Sequence, residues 1–238
     1  MLTLAIETSS SIGSVALLRD DECLAESSFG ARERHSADPS THPDGGGRGV
    51  LRAGLVPAVQ KILAKASVRA DAVDLWAVGL GPGSFMGIRV GIAAAKGFSL
   101  ATDKPVVGVA SFHAIAAEHF AAVAAGADRG SPRTLRQDHA PLPRAATVVA
   151  VTVDAGHGEI YLAEYDRTRP ILDTPIRLIP AKDVPRTAVV GPASGEHAKA
   201  RHVAVLARAK FLQKQSGDEI LEPIYLRQTK FKKHEGHE

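Results

Sequence analysis

The chain has 238 residues, 45% hydrophobic and 23% charged, with a net charge of +3 and a pI near 9.1. That length accommodates one large or two small domains with real cores, and the mild basicity does not by itself mark a nucleic-acid-binding surface. No apolar stretch reaches the roughly eighteen residues of a membrane span, the start of the chain lacks a basic leader pattern, and the single Cys23 excludes an intrachain disulfide and a cysteine-based zinc site. A cytoplasmic protein is expected.

Residues 2–8 alternate apolar and polar side chains, and 14–18 and 23–29 continue as short strands, so a three-stranded meander is predicted. Glu7 points a carboxylate toward the first turn, where Thr8, Ser9, Ser10, Ser11 and Gly13 supply hydroxyl and amide donors. Serine and glycine are ordinary turn formers, which makes a hydrophilic hairpin the plain reading; in a kinase-like fold the same turn would hold phosphate. Residues 30–54 contain Asp38, Pro39, Pro43, Gly45, Gly46, Gly47 and Gly49 and read as a loop. An amphipathic helix is predicted over 55–66, with Leu55, Val59, Ile62, Leu63 and Ala66 on its apolar side, Lys61 and Lys65 opposite, and Pro57 in the first turn.

The most strongly patterned stretch is 75–100. Leu75, Trp76, Ala77 and Val78 form a short continuous apolar run, as expected of a strand buried on both faces. Gly79, Gly81, Pro82 and Gly83 stop it, and a small-residue helix follows. This turn lies at a strand's carboxyl end and a helix N-terminus, where free N–H groups can face an anion; Gly81 and Gly83 therefore join Thr8, Ser9 and Ser10 as nucleotide-binding candidates. A Walker loop is excluded, because Ile88 and not lysine follows Gly87. A dinucleotide turn is disfavoured, since Pro82 removes a donor. Gly83, Gly87, Gly91 and Ala95 recur every four residues, so one face of the helix has little bulk and something approaches it closely: its own sheet, or a helix of another subunit. Ile88, Ile92 and Phe98 leave the helix apolar nearly all round, as in one buried on more than one side.

A strand at 105–110, a helix from Ser111 to about residue 125 and a polar loop or linker at 126–146 follow. The second half then repeats the opening: strands at 147–154, 160–165 and 171–179, an apolar strand at 188–190 ending in Gly191-Pro192, and a helix over 196–213. A degenerate internal duplication is predicted, with an N-terminal subdomain at 1–125 and a smaller one at 147–238. His113 and His119 stand six apart on a helix, about 120° out of alignment, and read as core or surface histidines. His234 and His237 fall in a lysine-rich tail. A hydrolase lacks its machinery here: no G-x-S-x-G elbow or H-E-x-x-H is present, and Ser84, the only serine on a sharp strand-to-helix turn, reads as a helix N-cap.

The run GLGPGSFMGIRVGIAAAKGFSLATDKPVVGVASFHAIA resembles the signature of the TsaB (YeaZ-like) family. LTLAIETSSSIGSVALL, LVPAVQKIL, VTVDAGHGEIYLAEYD and EPIYLRQ are similar to family segments in the expected order. The resemblance implies an α/β fold of two actin-like, sugar-kinase-like and Hsp70-like (ribonuclease-H-like) units facing one another across a cleft. It also makes His35-Ser36 the approach to the first helix and residues 37–54 an insertion. In function it implies a non-catalytic partner of a TsaD-type enzyme in making threonylcarbamoyladenosine on tRNA, with a TsaE-type ATPase in the assembly, a homodimer when alone and tRNA held only indirectly. No tightly bound cofactor is implied, with ATP or ADP confined to the assembled complex. The catalytic sister family's His-x-x-x-His metal pair falls here on Ser111 and Ile115, so no metal is expected. The docking face is placed on helices 55–66 and 87–100, through Leu55, Val59, Ile62, Met86, Arg89, Val90, Ala93 and Ala94. The alternatives are a small ATP-dependent enzyme of the sugar-kinase-like fold and a glycoprotease-like peptidase.

Overall fold

The computed structural model describes residues 1–30, 48–125, 148–169, 171–184, 188–192, 197–213 and 221–225. The expected linker at 126–146, residues 37–47 of the insertion, His35, Ser36, His234 and His237 lie outside them. Strands β1 (Leu2–Glu7), β2 (Ile12–Arg19) and β3 (Glu22–Gly30) form the predicted antiparallel meander. Strand β4 (Leu75–Gly79) pairs parallel to β1, and β5 (Val106–Val109) parallel to β4, giving the order β3-β2-β1-β4-β5.

Strand alternation decides which side chains meet which helices. Leu4 and Ile6 of β1, Val15 and Leu17 of β2, and Trp76 and Val78 of β4 share one apolar cluster with helices α1 (Arg48–Lys65) and α2 (Phe85–Thr102). Ala5, Ala16, Leu18, Leu75 and Ala77 point the other way, against α3 (Ser111–Ala124) and α4 (Ala200–Leu212). The first sheet is thus the middle layer of an α/β/α sandwich. Trp76 fastens β4 to α2: its ring stacks on Phe98 at 4.7 Å and its Nε1 donates to Thr102 Oγ1 at 3.0 Å.

The second sheet repeats the plan. Strands β6 (Val148–Gly156), β7 (Glu159–Asp166) and β8 (Arg177–Pro180) form a meander, and β9 (Ala188–Val190) pairs parallel to β6, in the order β8-β7-β6-β9. β6 stands where β1 stands and β9 where β4 stands. The fold is therefore the duplicated actin-like, sugar-kinase-like one. Val149, Val151, Ala163, Tyr165 and Val190 join the α3–α4 apolar cluster, so one core runs from the first sheet into the second.

The structure departs from the sequence-based boundaries in several places. Helix α1 begins at Arg48, so residues 48–54 are helical rather than loop and Pro57 lies inside the helix. Proline has no N–H for the carbonyl four residues earlier, a cost of about 3 kcal/mol in a helix interior, and burial of Leu55, Val59 and Ile62 outweighs it. The strand expected over 171–179 is a 3₁₀ turn at Ile171–Asp173 followed by β8, with Pro175 between them. Helix α4 and residues 221–225, expected with the second subdomain, pack on the first: α4 crosses β1, β2, β4 and β5, and Ile224 N–H donates to the Leu80 carbonyl at 2.9 Å. Ser14 Oγ, buried on β2, accepts the Ala200 N–H at 2.9 Å at the start of α4. Glu118 of α3 is almost wholly buried and is held by Lys199 at 2.6 Å, Arg201 at 2.7 Å and His202 at 2.6 Å, which pins α4 against α3.

The small-residue face of α2 turns inward onto its own sheet. A Cβ at Gly87 would stand 2.0 Å from the Thr8 carbonyl oxygen, and one at Gly91 2.3 Å from Thr8 Oγ1. Gly97, on the same helix, has open space where its Cβ would be. Gly87→Ala should therefore destabilise the fold by about 1–3 kcal/mol, because backbone must move. Gly97→Ala should stabilise it by about 0.5–1 kcal/mol through helix propensity alone. Urea unfolding of the two variants checks this, and equal effects would refute the inward packing.

Candidate functional site

The ends of β1 and β4 meet the start of α3 around one buried carboxylate. Glu7 is the last residue of β1 and has no solvent exposure. Its Oε1 accepts the Ser9 N–H at 2.6 Å, closing the turn after β1, and its Oε2 accepts the Ser111 hydroxyl at 2.7 Å. Ser111 Oγ in turn accepts the Gly81 N–H at 3.1 Å, and the Ser111 N–H donates to the Gly81 carbonyl at 2.8 Å. Gly79 must lack a side chain, since a Cβ there would lie 2.0 Å from Glu7 Oε2. Burial pushes the Glu7 carboxyl above its ordinary pKa, against the hydrogen bonds from Ser9 and Ser111, which lower it.

The nucleotide-binding candidates come together at this joint, but their donors are engaged by the chain itself. Thr8 Oγ1 donates to the Gly87 carbonyl at 2.8 Å, and Ser10 Oγ donates to the Ile12 carbonyl at 2.8 Å. Ser9 N–H is spent on Glu7, and the Ser9 carbonyl accepts the Ser84 N–H at 2.6 Å where Gly83 packs against it. Gly81 N–H is spent on Ser111. The Thr8 and Ser10 hydroxyls and the Ser9 and Gly81 N–H groups are thus turned to the chain itself. Ser84 caps α2, its Oγ accepting the Gly87 N–H at 3.2 Å.

His113 and Ile115 lie on the inner side of α3. His113 Nδ1 pairs with the Tyr165 hydroxyl at 2.7 Å, joining α3 to β7, and burial pushes the Tyr165 phenol upward so that it stays neutral. Ile115 sits in the apolar cluster. His119 lies edge-on to Phe120 at 6.1 Å. Among the described residues no group of three or more His, Cys, Asp or Glu converges as a metal site.

The expected docking residues divide sharply. Leu55, Val59 and Ile62 are buried in the core, so they cannot meet a partner; the sequence pattern located the apolar side of α1, and that side is the inward one. On α2, Met86, Arg89 and Ala93 are exposed, while Val90 and Ala94 are half-buried against the core. The large exposed apolar side chains on this layer are Val56, Phe85, Met86 and Leu100, and Tyr225 adds a fifth beside Phe85, with ring centroids 5.5 Å apart. These are five of the seven such residues among those described, so the exposed apolar surface is concentrated here. Sequence reasoning missed Tyr225, which is far from α2 along the chain and carries no local periodicity to place it. It also missed the Glu7–Ser111 bond, for which a polar residue at each end of an apolar strand run was the available signal.

Residues 51–130 match the family described as TsaD: tRNA N6-adenosine threonylcarbamoyltransferase. The tRNA threonylcarbamoyladenosine biosynthesis protein TsaB of Escherichia coli is 30% identical over 167 residues, 70% of this chain and 56% of that protein. A tRNA N6-adenosine threonylcarbamoyltransferase of Solidesulfovibrio magneticus is 37% identical over 132 residues, 56% of this chain and 34% of that protein. The chain thus spans about half the length of the first relative and a third of the second. Among solved structures, YeaZ from Pseudomonas aeruginosa superposes with a TM-score of 0.67 at 22% identity, over 94% of this chain and 99% of that one, a likeness of fold.

Because its folded pKa is raised, Glu7 binds its proton more tightly in the folded state than in the unfolded chain. Stability from this group is therefore present at low pH and lost as pH rises from the ordinary glutamate range through the raised value. Glu7→Gln removes that titration and should flatten the profile, whatever the change in absolute stability. Urea midpoints from about pH 4 to about pH 8 test this; parallel profiles for the two proteins would refute it.

Proposed function

We propose that the chain is a subunit of the TsaB type, a non-catalytic partner supporting a TsaD-type enzyme in the threonylcarbamoylation of adenosine in tRNA, a reading supported by its similarity to relatives named TsaB. The observation that carries the non-catalytic assignment is at the start of α3. Where the catalytic sister family is expected to place its His-x-x-x-His metal pair, this chain has Ser111, whose hydroxyl is bound to Glu7, and Ile115, packed in the core. A hydroxyl committed to a buried carboxylate and an isoleucine do not hold a metal between them. The peptidase alternative has no nucleophile at Ser84, whose oxygen is occupied as a helix cap. Against the kinase-like alternative, the Thr8 hydroxyl and the Ser9 and Gly81 N–H groups are engaged within the chain.

Docking takes place on the outer face of α1 and α2, where Val56, Phe85, Met86, Arg89, Ala93 and Leu100 face outward. A second copy of the chain occupies this face when the enzyme is absent, so the two assemblies exclude each other. A TsaE-type ATPase joins the complex, any ATP or ADP belongs to that assembly, and the enzyme holds the tRNA in the cytoplasm. Among the described residues no helix is long and apolar enough to cross a membrane.

Ala93 is the cleaner position at which to test docking, since Ala94 also touches the core. Ala93→Arg should abolish pairing with a TsaD-type enzyme from the same organism, because a desolvated, unpaired charge at a contact costs several kcal/mol, roughly 3–5. The monomer should keep its far-UV circular dichroism. Light-scattering mass with and without the enzyme reads the pairing, and mass spectrometry of tRNA nucleosides reads the modification. The chain alone should produce none. Modification by the isolated chain, or normal pairing of Ala93→Arg, would overturn the corresponding half of the proposal.

A further inference from the structure

We infer that Arg89 anchors the docking face and that its counterpart on the partner is a carboxylate, the side chain of an aspartate or glutamate; this rests on the docking role proposed above. Arg89 is exposed yet held in place. Its guanidinium carbon lies 3.7 Å from the centroid of the Phe85 ring, and its Nε donates to the Tyr225 hydroxyl at 2.8 Å. The Tyr225 ring, 5.6 Å from the same carbon, bounds it on a further side. Stacking on an aromatic face and a hydrogen bond at Nε fix the plane of the group before any partner arrives, so little side-chain freedom remains to be lost on binding.

The unused part of the group defines the ligand. Among the described residues no hydrogen bond or ion pair engages Nη1 or Nη2. With Nε occupied, the end-on edge offers two parallel N–H donors, which match the two oxygens of a carboxylate. Glu222 lies on the same segment as Tyr225 and forms no ion pair with Arg89. The two helices themselves carry one sign of charge. The 18 residues of α1 and the 18 of α2 include no aspartate or glutamate, while Lys61, Lys65, Arg89 and Lys96 are exposed.

A second copy would therefore bring cation against cation, and an acidic partner is favoured over self-pairing. Phosphate would also fit the fork. The exposed Phe85, Met86 and Tyr225 around it, however, suit the apolar surface of a protein partner, and an arginine ringed by aromatic side chains is the usual composition of an interface hot spot.

The test measures, by calorimetry at low and high salt, the affinity of the full chain for a TsaD-type enzyme from the same organism. Arg89→Gln should weaken binding at least about tenfold with unchanged thermal stability, and Arg89→Lys should not restore it, because an ammonium cannot present the fork. Tyr225→Phe should cause a smaller loss, and Lys96→Gln little. Wild-type binding should weaken with salt. Among single Asp→Asn and Glu→Gln changes on the enzyme's contacting helices, one should weaken the wild type but add nothing to Arg89→Gln, and a lysine there should rescue Arg89→Glu. If Arg89→Gln binds like the wild type, the anchor is wrong while the docking reading stands. If Arg89→Gln fails but no acidic position couples to it and inorganic polyphosphate competes, the anion is phosphate and the carboxylate assignment falls. If the wild type does not bind, the docking reading fails and the anchor with it.

Discussion

A carboxylate without solvent must be hydrogen-bonded or it breaks the fold, and the N-terminal half of this protein is arranged to meet that demand at Glu7. Its two oxygens reach the turn after its own strand and the first residue of α3. That residue also receives the N–H of Gly81, beyond the end of β4. Three chain reversals remote in sequence thus share one polar joint, and each tolerates little change. Gly79 cannot carry a side chain beside it, and replacing Ser111 with a residue that lacks its hydroxyl would leave Glu7 short of a donor.

The joint also sets how α2 lies. The turn after Glu7 presents the Thr8 and Ser9 carbonyls to the start of α2, and only glycines at 83 and 87 allow the helix backbone so close. With small residues turned inward there, the bulkier Phe85, Met86 and Leu100 remain for the outside. A helix apolar nearly all round is usually buried on every side, but here its two faces have different tasks. The inner face obtains its packing from close backbone approach, and the outer face leaves Phe85, Met86 and Leu100 exposed.

Much of this fold was legible in the sequence because its signals are local. Alternation in β1 and β2, the continuous apolar run of β4, the glycine-proline turn and the four-residue spacing of small residues each act within a few neighbours, and each element formed where expected. The inward direction of Leu55, Val59 and Ile62 was legible as an apolar stripe, but periodicity states that a face is buried and not what buries it. The start of α1 was hidden by Pro57 and by the glycine-rich stretch before it, both ordinary helix breakers. Long-range bonds were the least accessible. Arg89 and Tyr225 are separated by 136 positions, Ser14 and Ala200 by 186, and no pattern within either segment identifies its partner.

The return of α4 to the first sheet separates the two sets of surfaces. Ser14, Glu118 and the apolar residues of α3 hold α4 on the face of the sheet that also meets the second half, where His113 contacts Tyr165. Helices α1 and α2 cover the opposite face. The outer face of α1 and α2 therefore shares no side chains with the contact between the first sheet's other face and the second half. The elements of the two faces are joined through this polar turn, since Thr8 Oγ1 donates to the Gly87 carbonyl of α2, Thr8 follows Glu7, and Glu7 accepts the hydroxyl of the first residue of α3.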